Sequence, residues 1–576
     1  MMRAAVRKAR ALAVLGAFFF CIAVAGAQGQ TAISNATPVE PAPTASGAAA
    51  SEQPESATSA SPLPSPSASP PAASPVPGES PTPAPVVVPP SPVPVQFEQG
   101  SAFVILGRRV SVHVFSPPSG ILILSGFDPV IVRAIFNPID RTIDVTGLRP
   151  GSTTITATDQ FGLSATLAVT VQAYAGKAYS STSVTITGDP ASSKYVAEAA
   201  ADAAKLVAYP EAGAQVTALP EQVRYNRELA PDESVTVVVP LSIAGPGYAA
   251  YHQDVTVAVT NLAQPAIPPK NLLVSDFPET LVENGTLFYA DVTFAQPARL
   301  LYYHYNSTSS APRRVVVKAQ NNDVESSFLE LIAGIAGPSP NVLAVGHEST
   351  KRFLVREAHS EGRVFEVPPH ATVNISDQML SPATLVSGIM QLRVVSGSDV
   401  RVAVVVQDAS EIPVGPISET LLSSAVRHAR GIYSVPDFNY DISYSIGDEP
   451  ATLLIGKLPL PNLVQGEVLG GDYGVKQSAS LTLLNSTANE ARVGMWFEPR
   501  GGRATGTFLI DGQRFELHPV DVGRPALIHT FSVPANGYRR VAIVTMPEGG
   551  SSYPVRVIFG SQPPANGDWS QSPAVY

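Results

Sequence analysis

The sequence predicts a mainly β, multidomain protein: an N-terminal β-sandwich, a small α/β domain, then two related tandem β-sandwiches. Three observations carry this. From residue 95 onward, short stretches of alternating apolar and polar residues recur roughly every ten residues between Gly, Pro and Asp, the pattern of half-buried strands joined by turns. One Ala-rich stretch has helical spacing instead. Several short landmarks also recur in the same order in the C-terminal half, the mark of an internal repeat. The 576 residues allow about three to five domains, and 44% apolar content can fill several cores. Only 15% of residues are charged, which excludes a coiled coil or a highly charged nucleic-acid binder.

The elements follow in chain order. Arg3, Arg7, Lys8 and Arg10 precede an apolar run from Ala11 to Val24 and the small-residue site Ala25-Gly26-Ala27, the grammar of a secretory signal peptide over residues 1–27. The run is short for a membrane span, which needs roughly 20 apolar residues. The single Cys, Cys21, lies inside it, so the mature chain from Gln28 is expected to carry no disulfide and no Cys-based zinc site. Loss of the leader leaves 33 basic against 47 acidic residues, a formal charge of −14. So acidic a chain is not expected to bind nucleic acid or anionic lipid through bulk electrostatics. No later run is long and apolar enough for a transmembrane helix, so none is expected in the mature chain.

Residues 28–94 read as a Pro/Ser/Ala-rich disordered spacer. The stretch 31–95 holds 18 Pro and no Lys or Arg, and such a composition cannot bury enough apolar area to offset the entropy of ordering. Pro-rich chains of this kind extend at about 3.1 Å per residue. The composition suits a stalk or a free tail equally.

Residues 95–173 read as a small β-sandwich. Val110 to Val114 alternates, as do Ile143-Asp144-Val145 and Thr153 to Thr158, before a turn at Asp159-Gln160-Phe161-Gly162 and a closing strand Leu167 to Val171. The stretch Gly147-Leu148-Arg149-Pro150-Gly151-Ser152-Thr153-Thr154-Ile155, followed by the Asp159-to-Gly162 hairpin, resembles bacterial immunoglobulin-like domains. It is also similar to the N-terminal domain of pilus-assembly secretins, which shares the G-x-x-P-G-x-T-x-I turn. The resemblance covers this module only. It implies an Ig-like sandwich and a bacterial origin, and little about function, because such modules serve as spacers and binders alike.

Residues 178–262 read as a small α/β domain. A strand at Val184 to Thr187 leads to Asp189 as helix cap and Pro190 at the first position. A helix is then expected over Ala191 to Ala208, with Tyr195, Ala199, Ala203 and Leu206 on one stripe. No GxGxxG or Gly-Lys-Ser/Thr occurs, which argues against nucleotide binding.

The repeat is read as two sandwiches, 265–412 and 430–562, followed by a flexible tail at 563–576. Its landmarks are Leu300 to Tyr305, Asn306-Ser307-Thr308, Arg314-Val315, Phe365-Glu366-Val367-Pro368 and Val400 to Val404. They recur as Leu481 to Leu484, Asn485-Ser486-Thr487, Arg492-Val493, Phe531-Ser532-Val533-Pro534 and Val555 to Ile558. The Asn-to-Phe spacing is 59 residues in the first copy (306 to 365) and 46 in the second (485 to 531), so one connection differs in length. The segment joining the copies suggests a helix near Ser418 to Arg430.

Chemistry-bearing patterns are sparse. His113, His252, His304, His347, His359, His370, His428, His518 and His529 show no HExxH or HxH spacing, although His518 and His529 have the freedom to converge. No GxSxG is present. Asp437, Asp441, Asp448 and Glu449 lack the order of an EF-type calcium loop and read as loop solvation. In Tyr302-Tyr303-His304-Tyr305, alternation sends one half to the core and leaves the other half to stack on a sugar ring or to pack. Arg500-Gly501-Gly502-Arg503 beside Trp496 reads as a hairpin with solubilising Arg. Asn35, Asn284, Asn306, Asn374 and Asn485 are glycosylation acceptors only in a eukaryotic pathway.

The sequence thus predicts no catalytic, cofactor-binding or metal-ligating residues, no cofactor, and binding residues that stay unknown. The expected protein is a non-catalytic bacterial binding, adhesion or structural module. It is exported to the extracellular space, cell surface or periplasm, and its partner is an unknown protein or polysaccharide of the cell envelope. A component of a pilus or secretion assembly is the first alternative. A secreted hydrolase or carbohydrate-binding protein with a dispersed site is the second.

Overall fold

A computed structural model describes residues 94–115, 121–294, 296–411, 415–434, 436–567 and 574–575. The leader and, save for Pro94, the Pro-rich spacer lie outside the described residues. Everything below belongs to one compact unit, Pro90–Tyr576.

The first eight strands are β1 (Gln96–Phe97), β2 (Ser101–Ile105), β3 (Arg109–Phe115), β4 (Ile123–Ser125), β5 (Val132–Asn137), β6 (Thr142–Gly147), β7 (Gly151–Thr158) and β8 (Ser164–Gln172). They form two four-stranded sheets, β1-β3-β6-β5 and β2-β8-β7-β4. The alternating residues Val112, Ile143, Val145, Ile155, Leu167 and Val169 meet between the sheets as the core, as a sandwich with aligned inner faces requires. The turn read from Asp159 to Gly162 is built as expected. Asp159 Oδ1 accepts from the Phe161 and Leu163 amides at 2.9 Å each, and Gly162 takes a positive φ of 83°.

The next elements are β9 (Gly176–Ala178), β10 (Ser181–Thr187), helix α1 (Ser193–Leu206), β11 (Ala208–Pro210), β12 (Gln215–Ala218), β13 (Ser234–Ala244) and β14 (Tyr251–Asn261). The helix begins later than the Asp189-Pro190 start. Its cap is Ser192, whose side chain accepts from Tyr195 N at 3.2 Å. Residues 189–191 are engaged elsewhere: Asp189 N donates to His359 O and Ala191 bridges Leu229. Tyr195, Ala199 and Ala203 are buried, but Leu206 is exposed at the last turn, outside the expected stripe.

The sheet under α1 does not stop at its own domain. β10 pairs parallel with β14 on one side and antiparallel with β21 (Gly362–Val367) on the other. The intervening and following elements are β15 (Asn271–Ser275), β16 (Thr280–Leu281), β17 (Gly285–Val292), β18 (Ala298–Asn306), β19 (Arg313–Gln320), β20 (Ser327–Ser339), helix α2 (Val342–Ala358), β22 (Thr372–Leu380), β23 (Leu385–Ser396), β24 (Val400–Asp408) and β25 (Arg430–Ser434). One sheet runs β12-β13-β14-β10-β21-β20-β23-β18-β15-β25, with β16 beside β18. It spans the stretches read separately as 178–262 and 265–412, and also takes in β25, read from sequence as the start of the last sandwich, 430–562. Facing its second half is the sheet β17-β24-β19-β22, and Leu287, Leu300, Tyr302, Val317, Met390 and Val404 fill the space between.

The last strands are β26 (Asp437–Ser445), β27 (Ala451–Ile455), β28 (Lys476–Asn485), β29 (Ala491–Pro499), β30 (Ala504–Ile510), β31 (Gln513–Val520), β32 (Ala526–Val533), β33 (Gly537–Thr545), β34 (Val555–Gly560) and β35 (Ala574–Val575). Their sheets are β26-β28-β33-β30-β31-β35 and β27-β34-β29-β32. The orders β15-β18-β23-β20-β21 and β17-β24-β19-β22 match these strand for strand, so the two sandwiches share one topology. The first copy inserts α2 between β20 and β21, where the second has a tight turn at Asp511-Gly512, both at positive φ.

Three expectations are corrected here. Phe365 to Pro368 lies at β21 and Phe531 to Pro534 at β32, which are not equivalent strands. They look alike because Asn321 Nδ2 donates to Val367 O (3.0 Å) and Asn485 Nδ2 donates to Val533 O (3.1 Å), one local device used in two places. The true counterpart of Asn485 is Asn306, whose Nδ2 reaches Leu380 O at the end of β22. The expected helix near Ser418 does not form. Leu422 N instead donates to Thr286 O, and Arg430 is already in a strand. The tail read as flexible contributes β35, which lies antiparallel against Phe515 and Glu516 of β31.

Candidate functional site

The residues with the richest chemistry gather where the two copies meet, around α2. Asn341 caps this helix by accepting from Ala344 N at 3.2 Å. One face, including Ser349, Phe353 and Leu354, is buried. The helix lies against β20 and β23 of its own copy and β30 of the next. Gly346 faces the backbone of Gly549 so closely that a Cβ there would run into the Gly549 carbonyl. Leu272, Leu301, Phe353 and Tyr433 of the first copy and Leu509 and Met546 of the second form a shared apolar cluster.

His347 of α2 reaches across this junction. Its Nδ1 is 2.9 Å from Glu548 Oε2 and its Nε2 is 3.0 Å from Glu516 Oε2. Lys351 adds a contact to Glu516 at 3.4 Å. Glu548 is fully buried and also accepts from the Thr505 and Thr507 hydroxyls. Burial alone would lower the His347 pKa, but hydrogen bonds and charges from Glu548 and Glu516 outweigh it and raise the value. With a carboxylate at each ring nitrogen, the doubly protonated imidazolium donates to both.

A second cluster lies at the rim of the same region. Asp276 and Glu279 sit on the turn after β15, and His428 just precedes β25. His428 Nδ1 is 3.1 Å from Glu279 Oε2 and 3.7 Å from Asp276 Oδ2. One donor atom from each of the three lies within 4.8 Å of the others. The turn is braced from below by His304, which is fully buried. Burial pushes the His304 pKa down to about 4. The neutral ring donates Nδ1–H to Pro278 O and accepts the Ser275 hydroxyl at Nε2, both at 3.0 Å. Asp276 N donates to Ala429 O, tying the turn to the His428 segment. Asp276 Oδ1 is sealed from solvent with no hydrogen-bond partner. Burial, and secondarily the Glu279 charge, hold the Asp276 carboxyl well above the usual carboxylate range.

Of the remaining sequence candidates, some are packed or paired and others are exposed. His529 packs between Phe515 and Phe531, with ring centroids at 4.7 and 4.8 Å. His252, His370 and His518 are exposed, His359 closes the C-terminus of α2, and His113 stacks near Phe115. Asp437 accepts from the buried Arg299 at 2.7 Å, apart from the exposed Asp441, Asp448 and Glu449. Tyr302 and His304 face inward. Tyr303 and Tyr305, the half left free to stack on a sugar, instead pack with Val345 of α2 and Leu385. Trp496 is fully buried against Leu527 and Ile558. Arg500 and Arg503 pair with Glu498 and Asp521. Asn306 and Asn485 are buried, and Asn35 lies outside the described residues.

A separate cavity of 180 Å³ lies between the 264–268 loop, β20, β23 and the start of β28. Its charged lining is paired: Glu330 with Arg393 at 2.5 Å, and Glu357 with Lys476. Sequence reasoning missed Asp276 and Glu279 because His428 is about 150 residues away, and no local spacing announces a site assembled by strand pairing.

No protein-family model matches the chain, and no curated protein matches it in sequence. Similar solved structures include human mucin-like protocadherin EC1-2, at 10% identity and TM-score 0.12, over 29% of this chain and 98% of that one. A titin pair of tandem Ig domains matches at 8% identity and TM-score 0.13, over 29% of this chain and 97% of that one. A tri-modular endo-β-1,4-glucanase from Bacillus licheniformis matches at 9% identity and TM-score 0.12, over 29% of this chain and 38% of that one. These are partial likenesses to β-sandwich domains and carry no function across. Among the described residues no helix is long and apolar enough to cross a membrane.

Proposed function

We propose that this chain is a non-catalytic, exported scaffold of the bacterial cell envelope. Its tandem β-domains would act as a rigid binding, adhesion or structural module toward an envelope protein or polysaccharide. The observation that carries the reading is the junction. A continuous sheet joins the α/β stretch to the first sandwich, and α2 wedges that sandwich against the second. The ionisable groups buried there serve linkage, with His347 and Glu548 joining the copies. Stiffness of this kind suits a part that holds surfaces at fixed spacing. The signal-like leader and Pro-rich stretch support export and display away from an attachment point.

The test is protease shaving of intact source cells followed by fractionation. Display predicts cell-associated protein that external protease removes. Protein free in the medium, or protected inside a sealed periplasm, would sink the display reading and leave a soluble binder or an envelope-assembly factor.

A further inference from the structure

We infer that Asp276, Glu279 and His428 form a binding site for one divalent transition-metal ion of the zinc class, tying the turn after β15 to the segment that enters β25. The geometry comes first. The imidazole Nδ1 stands 3.1 and 3.7 Å from the two carboxylate oxygens. Ligand atoms held about 2.0–2.2 Å from a shared zinc ion lie roughly 3–3.5 Å from one another, so a small inward movement of the side chains completes three bonds. The donor set selects the class of ion. Two carboxylates with a neutral imidazole suit zinc and its neighbours, whereas calcium prefers six to eight oxygens.

The Asp276 carboxylate also favours a cation beside it, with Oδ2 facing His428. Asp276 Oδ1 is sealed from solvent and has no hydrogen-bond partner. An ionised carboxylate so placed is costly unless a positive charge neutralises it. A bound ion supplies that charge directly. The surroundings are built to hold position: His304 fixes Pro278 and Ser275 on either side of the turn, the supporting role that partners of metal ligands commonly play. The side chains of Asp276, Glu279 and His428 remain 25%, 34% and 32% exposed, so ions can enter and a fourth position faces solvent. That exposure makes the site one for a clip or an outside ligand rather than a closed structural centre.

The test uses the full mature chain stripped with EDTA and titrated calorimetrically with zinc, with calcium as a parallel arm. The expected result is one zinc ion per chain. Affinity should fall at least roughly tenfold in His428→Ala and in Glu279→Gln, since losing a ligand costs no less than the tenfold to hundredfold reported for outer-shell partners. His518→Ala, an exposed control away from the cluster, should bind like wild type. Far-UV circular dichroism checks the fold of each variant, and the two partly exposed positions keep the test open if Asp276→Asn does not fold. Absence of stoichiometric zinc binding overturns the site. So does binding that neither variant weakens, or calcium binding as tight as zinc. The scaffold reading survives any of these outcomes, because it rests on the junction and not on the ion.

Discussion

At the scale of single residues, the junction depends on His347 and Gly346. The folded pKa of His347 lies above its unfolded value of about 6.5. Its contribution to stability is therefore full below that value and is lost as pH rises through the folded pKa. The groups facing it are Glu548, Glu516 and, one turn along, Lys351. Urea midpoints of wild type should fall between pH 6 and pH 9 relative to those of His347→Gln, which does not titrate there. Parallel curves would refute the linkage. At constant pH 6, His347→Ala should cost about 3 kcal/mol, because Glu548 is left buried without its charged partner. Gly346→Ala should lower the melting temperature with a loss of about 1–3 kcal/mol, since the added methyl meets backbone rather than a movable side chain. A Tm equal to wild type would show that the two copies separate there at no cost. None of this was legible in sequence: His347 had no spacing signature, and its partners lie about 170 and 200 residues downstream.

At the scale of elements, buried asparagines at strand ends recur as corner clamps. Asn261, Asn306, Asn321 and Asn485 each donate Nδ2 to carbonyls of two different loops or strands. The bond from Asn306 to Leu380 O is buried, so Asn306→Ala should cost about 1–3 kcal/mol by leaving that carbonyl unpaired. Asn306→Asp, nearly the same shape but an acceptor only, should be at least as harmful. Denaturant titration of both variants distinguishes a lost donor from lost packing, since a benign Asp would refute the donor role. The Asn-Ser-Thr landmarks at 306 and 485 were visible in the sequence and correctly aligned the copies. The Val-Pro landmarks misled because the same clamp recurs at Asn321, and short motifs report local geometry rather than topology. Strand alternation, the α1 stripe through Ala203 and the Asp159 turn were legible because each depends on near neighbours. Helix α2 was not, since its 17 residues have a polar outer face and a short buried stripe set by two sheets at once.

At the scale of the molecule, the extended sheet and the α2 wedge predict that residues 173–567 unfold as one cooperative body. The sandwich at 95–172 has its own core and should melt independently. Differential scanning calorimetry of the full chain should then resolve two transitions. Three or more would mean that the tandem copies are uncoupled, which would remove the physical basis of the scaffold reading. The overall class was readable from alternation and repeat. The fusion of separate segments into one sheet was not, because the β10–β21 pairing joins residues nearly 180 positions apart.

That pairing occupies an edge, and the second copy has the same edge on β31, where, among the described residues, the two of β35 lie against it. In the first copy the edge is a coupling used by an upstream neighbour; in the second it is stoppered by β35. Unstoppered β edges recruit other β edges. A chain ending at residue 567 should therefore self-associate on size-exclusion chromatography where the full chain does not, and a monomeric truncation would show that β35 is idle. The repeat carries a connector at each copy, and β35 decides whether the second is closed.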